Sequence, residues 1–181
     1  MTKTKKILII VLTFPITLTL YIFLFTGNIK YTEEIEINTN IDSVITLFDN
    51  PYNMQKYMEG IESYKVVEGN IREVGAKAEM TVLMGDKKII MIEEIITNNL
   101  PEEKKVTYTA DGVYNIVTNR LVKISESKTK FINEQEFEFK GYMKVIGFFI
   151  PSAFKKQSRV YLEDFKGFSE KSLITRYIRN N

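Results

Sequence analysis

The feature that most constrains this chain is an uncharged apolar run near its N-terminus. It extends from Ile7 to Phe25, about 19 residues, and a helix of that length rising about 1.5 Å per residue matches the hydrocarbon layer of a bilayer. Pro15 lies inside the run, where a membrane-spanning helix tolerates it. A cleaved signal peptide is the alternative, but its apolar core is shorter and precedes a small-x-small site, which FLFTGNIKY lacks. The run therefore predicts a transmembrane helix.

The distribution of lysines predicts the orientation of this helix. Lys3, Lys5 and Lys6 precede the run, and only Lys30 follows it closely. By the positive-inside rule, the N-terminus is cytoplasmic and the rest of a single-pass protein of the cell membrane lies on the periplasmic or extracellular side. We expect a cytoplasmic N-terminus (1–6), the transmembrane helix (7–25), a short linker (26–30), one domain (31–172) and a basic C-terminal tail (173–181). The tail is either an interfacial helix near anionic lipid or an extension of the preceding helix.

Composition excludes several classes of chemistry. The 181 residues include no cysteine and no histidine, so disulfides, Ser-His-Asp or Cys-His catalysis and histidine-containing metal sites are ruled out. Acid–base chemistry would have to use carboxylates, lysine or tyrosine. The net charge of +2 does not indicate a nucleic-acid partner. No phosphate-binding or metal-ligand motif is present, so we expect no cofactor and no metal, and the oligomeric state stays open.

The exported part of the chain predicts an α+β domain. A strand at 31–37 alternates in period two, and helical spacing follows over Ile41 to Phe48, with Asn40 as the N-cap and a second short helix ending at Gly60. Turn residues then separate six further strands, and an amphipathic helix runs from Ser152 to about Ser172. The predicted turns are 68–75, 85–86, 98–103, 111–112 and 125–128.

Two-residue turns predict which residues face each other across two hairpins. A turn at Gly85-Asp86 pairs Met80 with Met91 and Ala78 with Glu93, which makes Glu93 an inward carboxylate. An inward charge implies an internal ion pair or a cavity; the alternative is that Glu93 and Arg120 point to solvent. A turn at Glu126-Ser127 predicts the pairs Tyr114–Phe139, Ile116–Phe137, Thr118–Gln135, Arg120–Asn133 and Val122–Phe131.

The order of elements resembles the START-like helix-grip superfamily, also called SRPBCC or polyketide cyclase-like, over about residues 31 to 171. The resemblance is carried by EIEINTNIDSVITLFDNPYNMQKYMEGIESYKVVEG, with Tyr57 where many relatives have tryptophan, by Gly75 opening the third strand, and by FKKQSRVYLEDFKGFSEK. It implies a seven-stranded curved antiparallel sheet wrapped around the long C-terminal helix, with a cavity between them. Many relatives bind sterols, lipids, polyketides or plant hormones there, and some are cyclases or aromatases.

Residues and resemblance together favour a non-enzymatic, membrane-anchored module that holds a hydrophobic small molecule or lipid. One alternative is a cyclase-type or aromatase-type enzyme that uses Glu93 or Tyr114 as acid–base and Arg120 as an electrostatic stabiliser. Another is a structural or partner-binding domain with a vestigial cavity. The predicted lining combines an apolar surface with a few polar groups that orient the ligand. It consists of Met80, Met91, Tyr108, Tyr114, Ile116, Arg120, Asn133, Gln135, Phe137, Phe139, Tyr161 and Phe165.

A second apolar run, GYMKVIGFFIPSAFKKQ at 141–157, predicts a membrane contact. The resemblance implies that the first strand pairs with the seventh, which brings this run next to Lys30 and the end of the transmembrane helix. A surface apolar run of this size indicates an interaction site. The alternative is that Phe148 and Phe149 fill the core under the last helix. The predicted contact residues are Met143, Val145, Ile146, Phe148, Phe149 and Ile150.

Overall fold

The computed structural model describes the backbone of residues 2–25 and 27–180, and the side chains of these residues apart from 23, 25 and 173–180. Helix α1, Lys3–Phe25, exposes most of its described apolar side chains. It is long and apolar enough to cross a membrane, a test that a signal sequence passes as well. Inside it, the hydroxyls of Thr13, Thr17 and Thr19 donate to carbonyls three or four residues earlier, which satisfies these polar groups within the helix.

A seven-stranded antiparallel sheet follows, in the order β1-β7-β6-β5-β4-β3-β2. The predicted helix-grip architecture is confirmed, and β1 begins at Asn28, earlier than the predicted Tyr31. The strands are β1 Asn28–Ile37, β2 Ile61–Glu68, β3 Lys77–Met84, β4 Lys87–Asn99, β5 Glu103–Ala110, β6 Val113–Ser125 and β7 Lys128–Phe139. The later helices are α2 Ile41–Phe48, α3 Met54–Tyr57, α4 Met143–Phe149 and α5 Pro151–Asn180, with a 3₁₀ turn at Pro51–Asn53.

Asparagine caps set the two turns of the α2–α3 segment. Asn40 Oδ1 accepts a hydrogen bond of 2.9 Å from the Ser43 amide, as the sequence predicts for an N-cap. Asn50 Oδ1 accepts from the Tyr52 amide at 3.2 Å, and Pro51 occupies the first position of the 3₁₀ turn, where a missing amide hydrogen costs nothing. The segment therefore folds back over the concave face of the sheet.

The predicted register of the β3–β4 hairpin is confirmed. Ala78 faces Glu93, Met80 faces Met91 and Val82 faces Ile89. On β3 these buried residues alternate with half-buried neighbours, so one face of the hairpin points into the domain.

The predicted register of the β6–β7 hairpin is wrong by one residue. An irregularity between Lys123 and Ser125 shifts the pairing, so that Leu121 faces Phe131 and Asn119 faces Asn133. An extra residue in one strand reverses the face to which all its side chains point. Tyr114, Ile116 and Arg120 consequently lie on the convex face, opposite Glu138, Glu136 and Ile132. The inward residues of β7 are as predicted.

The largest core cluster joins α5 to β1, β6 and β7. Phe165, 1% exposed, meets Phe131 and Phe48 edge-to-face at centroid distances of 5.6 and 5.5 Å. Such contacts stabilise aromatic pairs beyond the area that they bury. On the rim, Tyr31 and Ser158 share a hydrogen bond of 2.9 Å, and the Arg159 guanidinium donates to the carbonyl of Glu34 at 2.7 Å. Helix α5 is thereby fastened along β1, and it continues through residues 173–180, which the sequence placed in a separate tail.

The second apolar run forms α4, which lies beside the start of β1. Asn28 of β1 faces Glu138 of β7, and the Phe139 amide donates to the Gly27 carbonyl at 2.6 Å, so the implied pairing of the first and seventh strands is confirmed. The run is helical at 143–149, and Gly147 is its buried residue. Its largest exposed apolar side chains belong to Tyr142, Phe148, Phe149 and Ile150. Phe148 and Phe149 thus do not fill the core.

Candidate functional site

Glu93 is a carboxylate inside the domain, as its predicted register requires. Its side chain lies on the concave face, and the residue is 5% exposed. The Tyr64 hydroxyl donates to Oε1 at 2.8 Å and the Tyr108 hydroxyl donates to Oε2 at 2.7 Å. Two hydrogen bonds of this kind offset part of the cost of burying a carboxylate.

Strand pairing explains how two tyrosines reach the same carboxylate. Tyr108 faces Glu93 directly across the β4–β5 pair. Tyr64 is two strands away on β2, where it pairs with Met80 of β3, and Ala78 of β3 pairs with Glu93. The hydroxyl of Tyr64 therefore reaches Glu93 from across the intervening strand.

A cavity of about 40 Å³ lies next to this group. Its wall comes from the α2–α3 segment on one side and from β2, β4, β5 and β6 on the other, so it lies under the α2–α3 segment, whereas the sequence predicted a cavity under α5. This volume accommodates a few non-hydrogen atoms and not a lipid. The lining residues are Phe48, Pro51, Met54, Tyr57, Tyr64, Arg72, Glu93, Ile95, Lys104, Val106, Tyr108 and Asn119.

The tyrosines around the cavity are held in their protonated form. Burial, followed by the Glu93 charge and its hydrogen bond, raises the pKa of Tyr108 well above its usual value. The same causes in the same order raise the pKa of Tyr64. Burial and, to a smaller extent, Glu93 also raise the pKa of Tyr57. All three phenols therefore stay protonated and do not act as bases at neutral pH.

A buried ion pair occupies another part of the wall. Lys104 Nζ lies 2.8 Å from Asp49 Oδ1, with side chains 10% and 18% exposed. The same ammonium stands 5.7 Å from the centroid of the Phe48 ring, which adds a cation–π contact. Arg72 approaches the other Asp49 oxygen at 3.8 Å, and the Asn98 amide donates to Oδ1 at 3.2 Å.

A ladder of four amides runs from the cavity along β6 and β7. Asn133 donates to Asn119 at 2.7 Å, Gln135 donates to Asn133 at 2.8 Å, and Asn115 donates to Gln135 at 2.8 Å. All four are buried, and Asn119 lines the cavity. At the far end, Asn115 Oδ1 is buried without a hydrogen-bond partner among the described residues, which leaves one acceptor for a water or a ligand.

Several predicted lining residues lie elsewhere on the concave face. Met80 and Met91 face each other beside Tyr64, and Tyr161 is half-buried on α5. Phe137 and Phe139 stack at 5.7 Å and both contact Phe154 of α5, near α4.

Three predicted residues are outside the cavity region because of the register shift. Tyr114 and Ile116 are half-exposed on the convex face. Arg120 donates to Glu134 at 2.5 Å and to Glu103 at 3.1 Å there, and so cannot stabilise charge beside Glu93. Of the two acid–base candidates that the sequence suggested, Glu93 and Tyr114, only Glu93 lines the cavity.

Sequence reasoning missed Tyr64, Lys104, Asn115 and Asn119. Tyr64 pairs with the inward-facing Met80 of β3. A predicted β2–β3 register, combined with alternation along β2, would therefore have placed Tyr64 on the inward face. The two asparagines were assigned to the outer face by the β6–β7 register. The part of the chain that the structure describes contains no group of three or more residues able to hold a metal ion.

Known proteins share this architecture. The aromatase/cyclase Zhui from Streptomyces sp. R1128 superposes with a TM-score of 0.68 at 10% identity, over 81% of this chain and 96% of that one. A conserved protein from Geobacillus kaustophilus superposes with a TM-score of 0.69 at 17% identity, over 80% of this chain and 97% of that one. A point mutant of norcoclaurine synthase from Thalictrum flavum, solved with a transition-state analogue, superposes with a TM-score of 0.63 at 16% identity. The superposition covers 82% of this chain and 98% of that one. At these identities the likeness shows the fold alone.

The sequence itself identifies the family. No curated protein matches the chain at a significant level. The family described as polyketide cyclase / dehydrase and lipid transport matches residues 28–168, which is the whole sheet together with most of α5 as far as Phe168. This chain therefore belongs to the polyketide cyclase / dehydrase and lipid transport family.

Proposed function

We propose that this chain is a membrane-anchored binding module that holds a hydrophobic small molecule against the concave face of its sheet. The observation that carries the proposal is the cavity beside Glu93, whose wall combines apolar side chains with charged, amide and phenol groups. A core built only for stability would exclude a carboxylate, because replacing it with a packed apolar residue costs less. Apolar pockets with a few placed polar groups are typical of ligand sites.

The volume of the cavity limits what binds without rearrangement. About 40 Å³ accepts the polar end of a ligand, so a larger apolar body requires side chains to move. The wall on the helical side comes from short elements, with Met54 and Tyr57 on the four-residue α3. Methionine adapts to irregular shapes, and a single helical turn separates from a sheet at low cost. We infer that α3 shifts to admit the ligand, while Phe48 of α2 keeps its contacts with Phe131 and Phe165.

The N-terminal helix is proposed as the anchor. Residues Lys3–Ile22 form the candidate span. The lysines that precede its apolar part favour a cytoplasmic N-terminus by the positive-inside rule. The family domain then lies on the outer side of the membrane, about three residues beyond the end of α1.

The exposed side chains of Tyr142, Phe148, Phe149 and Ile150 are proposed to rest in the same bilayer; we call them the α4 patch. They occupy the end of the sheet at which β1 starts, next to the exit of α1. Lys156 follows on the first turns of α5 and is exposed, as suits contact with lipid phosphates, whereas Lys155 pairs with Glu33 at 3.4 Å. An apolar ligand could then pass from the membrane to the concave face without crossing water.

Native mass spectrometry of the full chain released from detergent micelles tests ligand binding. We expect an apolar small molecule bound at one per chain. Val106→Phe, which projects a large ring into the cavity wall, should lower its occupancy, whereas Val122→Phe at an exposed position should not. Absence of any bound molecule, together with cross-linking to a protein partner, would instead support a structural role.

Acid–base catalysis at Glu93 is a second candidate function. The family description includes cyclases and dehydrases, and Glu93 is a cavity-lining carboxylate placed by two phenols. A general base needs this kind of fixed geometry. Turnover of any substrate that is lost in Glu93→Gln and retained in Glu94→Gln would establish an enzyme in place of a binding module.

A further inference from the structure

Glu93 carries a charge that its two phenol partners cannot neutralise. Tyr64 and Tyr108 both donate to the carboxylate oxygens, at 2.8 and 2.7 Å. Neither supplies a positive charge, and the residue is only 5% exposed to water. A buried charge normally has a counter-charge or a bound cation nearby.

The two cations in the cavity wall are engaged by a different carboxylate. Lys104 pairs with Asp49 at 2.8 Å, and the nearest carboxylate of Arg72 is also Asp49, at 3.8 Å. Among the described residues, neither cation pairs with Glu93. Lys104, Arg72 and Asp49 leave at most one surplus positive charge, and it is held on the Asp49 side of the wall, so Glu93 has no cationic partner among the described residues.

Aromatic rings surround the remaining space. Tyr57, Tyr64 and Tyr108 all line the cavity together with Glu93. The face of a tyrosine ring attracts an organic cation, and the attraction grows when water is excluded. Burial and the charge of Glu93 raise the pKa of all three phenols, so none of them competes for a cation as a phenolate. Tyr64 and Tyr108 continue to donate to the carboxylate.

Resting on the binding function proposed above, we propose that the ligand is an apolar amine whose protonated amino group binds to Glu93. The ammonium would donate to the free lone pairs of Oε1 and Oε2, while Tyr57 flanks it. A volume of about 40 Å³ fits an amino group with its first carbon atoms. The described residues form no cluster of three metal ligands, which favours an organic cation over a metal ion.

Three small probes of equal length test this inference: n-butylammonium, n-butanol and n-butyrate. Their affinities for the full chain in lipid nanodiscs are measured by saturation-transfer NMR, with empty nanodiscs as the blank. We expect n-butylammonium to bind about tenfold tighter than n-butanol, from the ion pair and the cation–π contacts, and n-butyrate to bind more weakly than either. Potassium chloride at equal concentration controls for ionic strength.

Glu93→Gln keeps the size of the side chain and removes its charge, so it should abolish the preference for n-butylammonium over n-butanol. Glu94→Gln, on the adjacent residue that faces the other side of the sheet, should retain it. An unchanged preference in Glu93→Gln overturns the inference. If that variant does not fold, the comparison of probes on the unmodified chain still decides.

The failure of the inference can be told apart from failure of the proposed function. Equal affinity for n-butanol and n-butylammonium would contradict the inference that the ligand is an amine, and it would remain compatible with binding of an uncharged apolar ligand. Tightest binding of n-butyrate reverses the sign of the recognised charge. If none of the probes binds, the inference of an amine ligand is wrong. The proposed binding function is then decided by whether native mass spectrometry detects a molecule that co-purifies with the chain.

Discussion

Gly147 of α4 lies directly on the ring of Phe139 at the end of β7. A β-carbon built at residue 147 would stand 2.5 Å from Cδ2 and 2.6 Å from Cε2 of that ring. Phe139 is 1% exposed and is held between Phe137 and Phe154. The Phe139 ring cannot move away without displacing Phe137 and Phe154. The absence of a side chain at residue 147 is therefore what allows α4 to pack against the sheet.

Gly147→Ala should therefore destabilise the domain. We expect a loss of about 1–3 kcal/mol, the usual cost of overpacking a filled site, measured by denaturant unfolding of the full chain in micelles. Gly167→Ala on α5 is the matched control, because a β-carbon at 167 meets no atom within 4 Å. The control should be neutral or stabilising by up to about 1 kcal/mol, since alanine favours a helix. Equal effects of the two substitutions would contradict the close contact.

Lys104→Met should cost far more than loss of an exposed lysine. Removing one partner leaves Asp49 buried and without its closest cation, for which about 3–5 kcal/mol is typical. The free energy of unfolding measures the loss. Lys30→Met breaks a pair with Glu136 in which the side chains are 68% and 45% exposed, and it should leave stability unchanged within error. Adding Asp49→Asn to Lys104→Met should restore part of the loss, and a further loss would contradict the assigned pair.

The free energy of unfolding should fall above pH 10, in part because Tyr31 is buried in its protonated form. Burial raises the pKa of Tyr31 from 10.0 to about 12, against the opposing hydrogen bond with Ser158. The unfolded chain therefore releases the proton first, so the contribution of Tyr31 is complete below pH 10 and is lost as pH rises from 10 to about 12.

Tyr31→Phe should flatten this part of the stability curve, by roughly 1 kcal/mol after allowing for the exposed part of the ring. Urea unfolding on both sides of pH 10 measures it. Tyr142→Phe, at a residue 61% exposed, serves as the control and should leave the slope as in the unmodified chain. An equal slope in both variants would show that Tyr31 ionises alike in the folded and unfolded states.

The α4 patch should lie within reach of lipid acyl chains. The chain has no tryptophan, so Phe149→Trp introduces a single fluorescent reporter at a residue 60% exposed. In nanodiscs with bromine on the lipid chains, its emission should be strongly quenched. Ile124→Trp, 45% exposed at the opposite end of β6, should keep its emission. Equal quenching at the two positions would rule out this orientation, and no quenching at 149 would rule out the membrane contact.

The β3–β4 hairpin shows how much could be inferred without coordinates. Its two-residue turn at Gly85-Asp86 joins regular strands, so counting outward from the turn gives the correct partners as far as Ala78 and Glu93. The inward position of Glu93 followed from that count. The identity of its partners did not, because Tyr64 and Tyr108 come from two other strands, at 29 and 15 residues from Glu93.

The β6–β7 hairpin shows where the same reasoning fails. Its turn is also short, but the irregularity between Lys123 and Ser125 adds one residue to one side. The local sequence does not predict this irregularity, because its position depends on which face of β6 packs better against the rest of the domain. Arg120 was therefore expected inside and lies outside, while Asn119 was expected outside and lines the cavity.

The sequence by itself determined the apolar N-terminal helix, the seven strands and the inward face of β7, because hydrophobic periodicity and turn residues are local signals. The helix-grip fold was implied by the resemblance to a known superfamily, and helix α4 was not predicted. Only the tertiary structure decided that the cavity lies under the α2–α3 segment, that Asp49 takes the cations, and that Glu93 is left with two phenols. These outcomes depend on contacts between residues far apart in the chain. Burial makes each such contact strong, and no local pattern encodes which partners will meet.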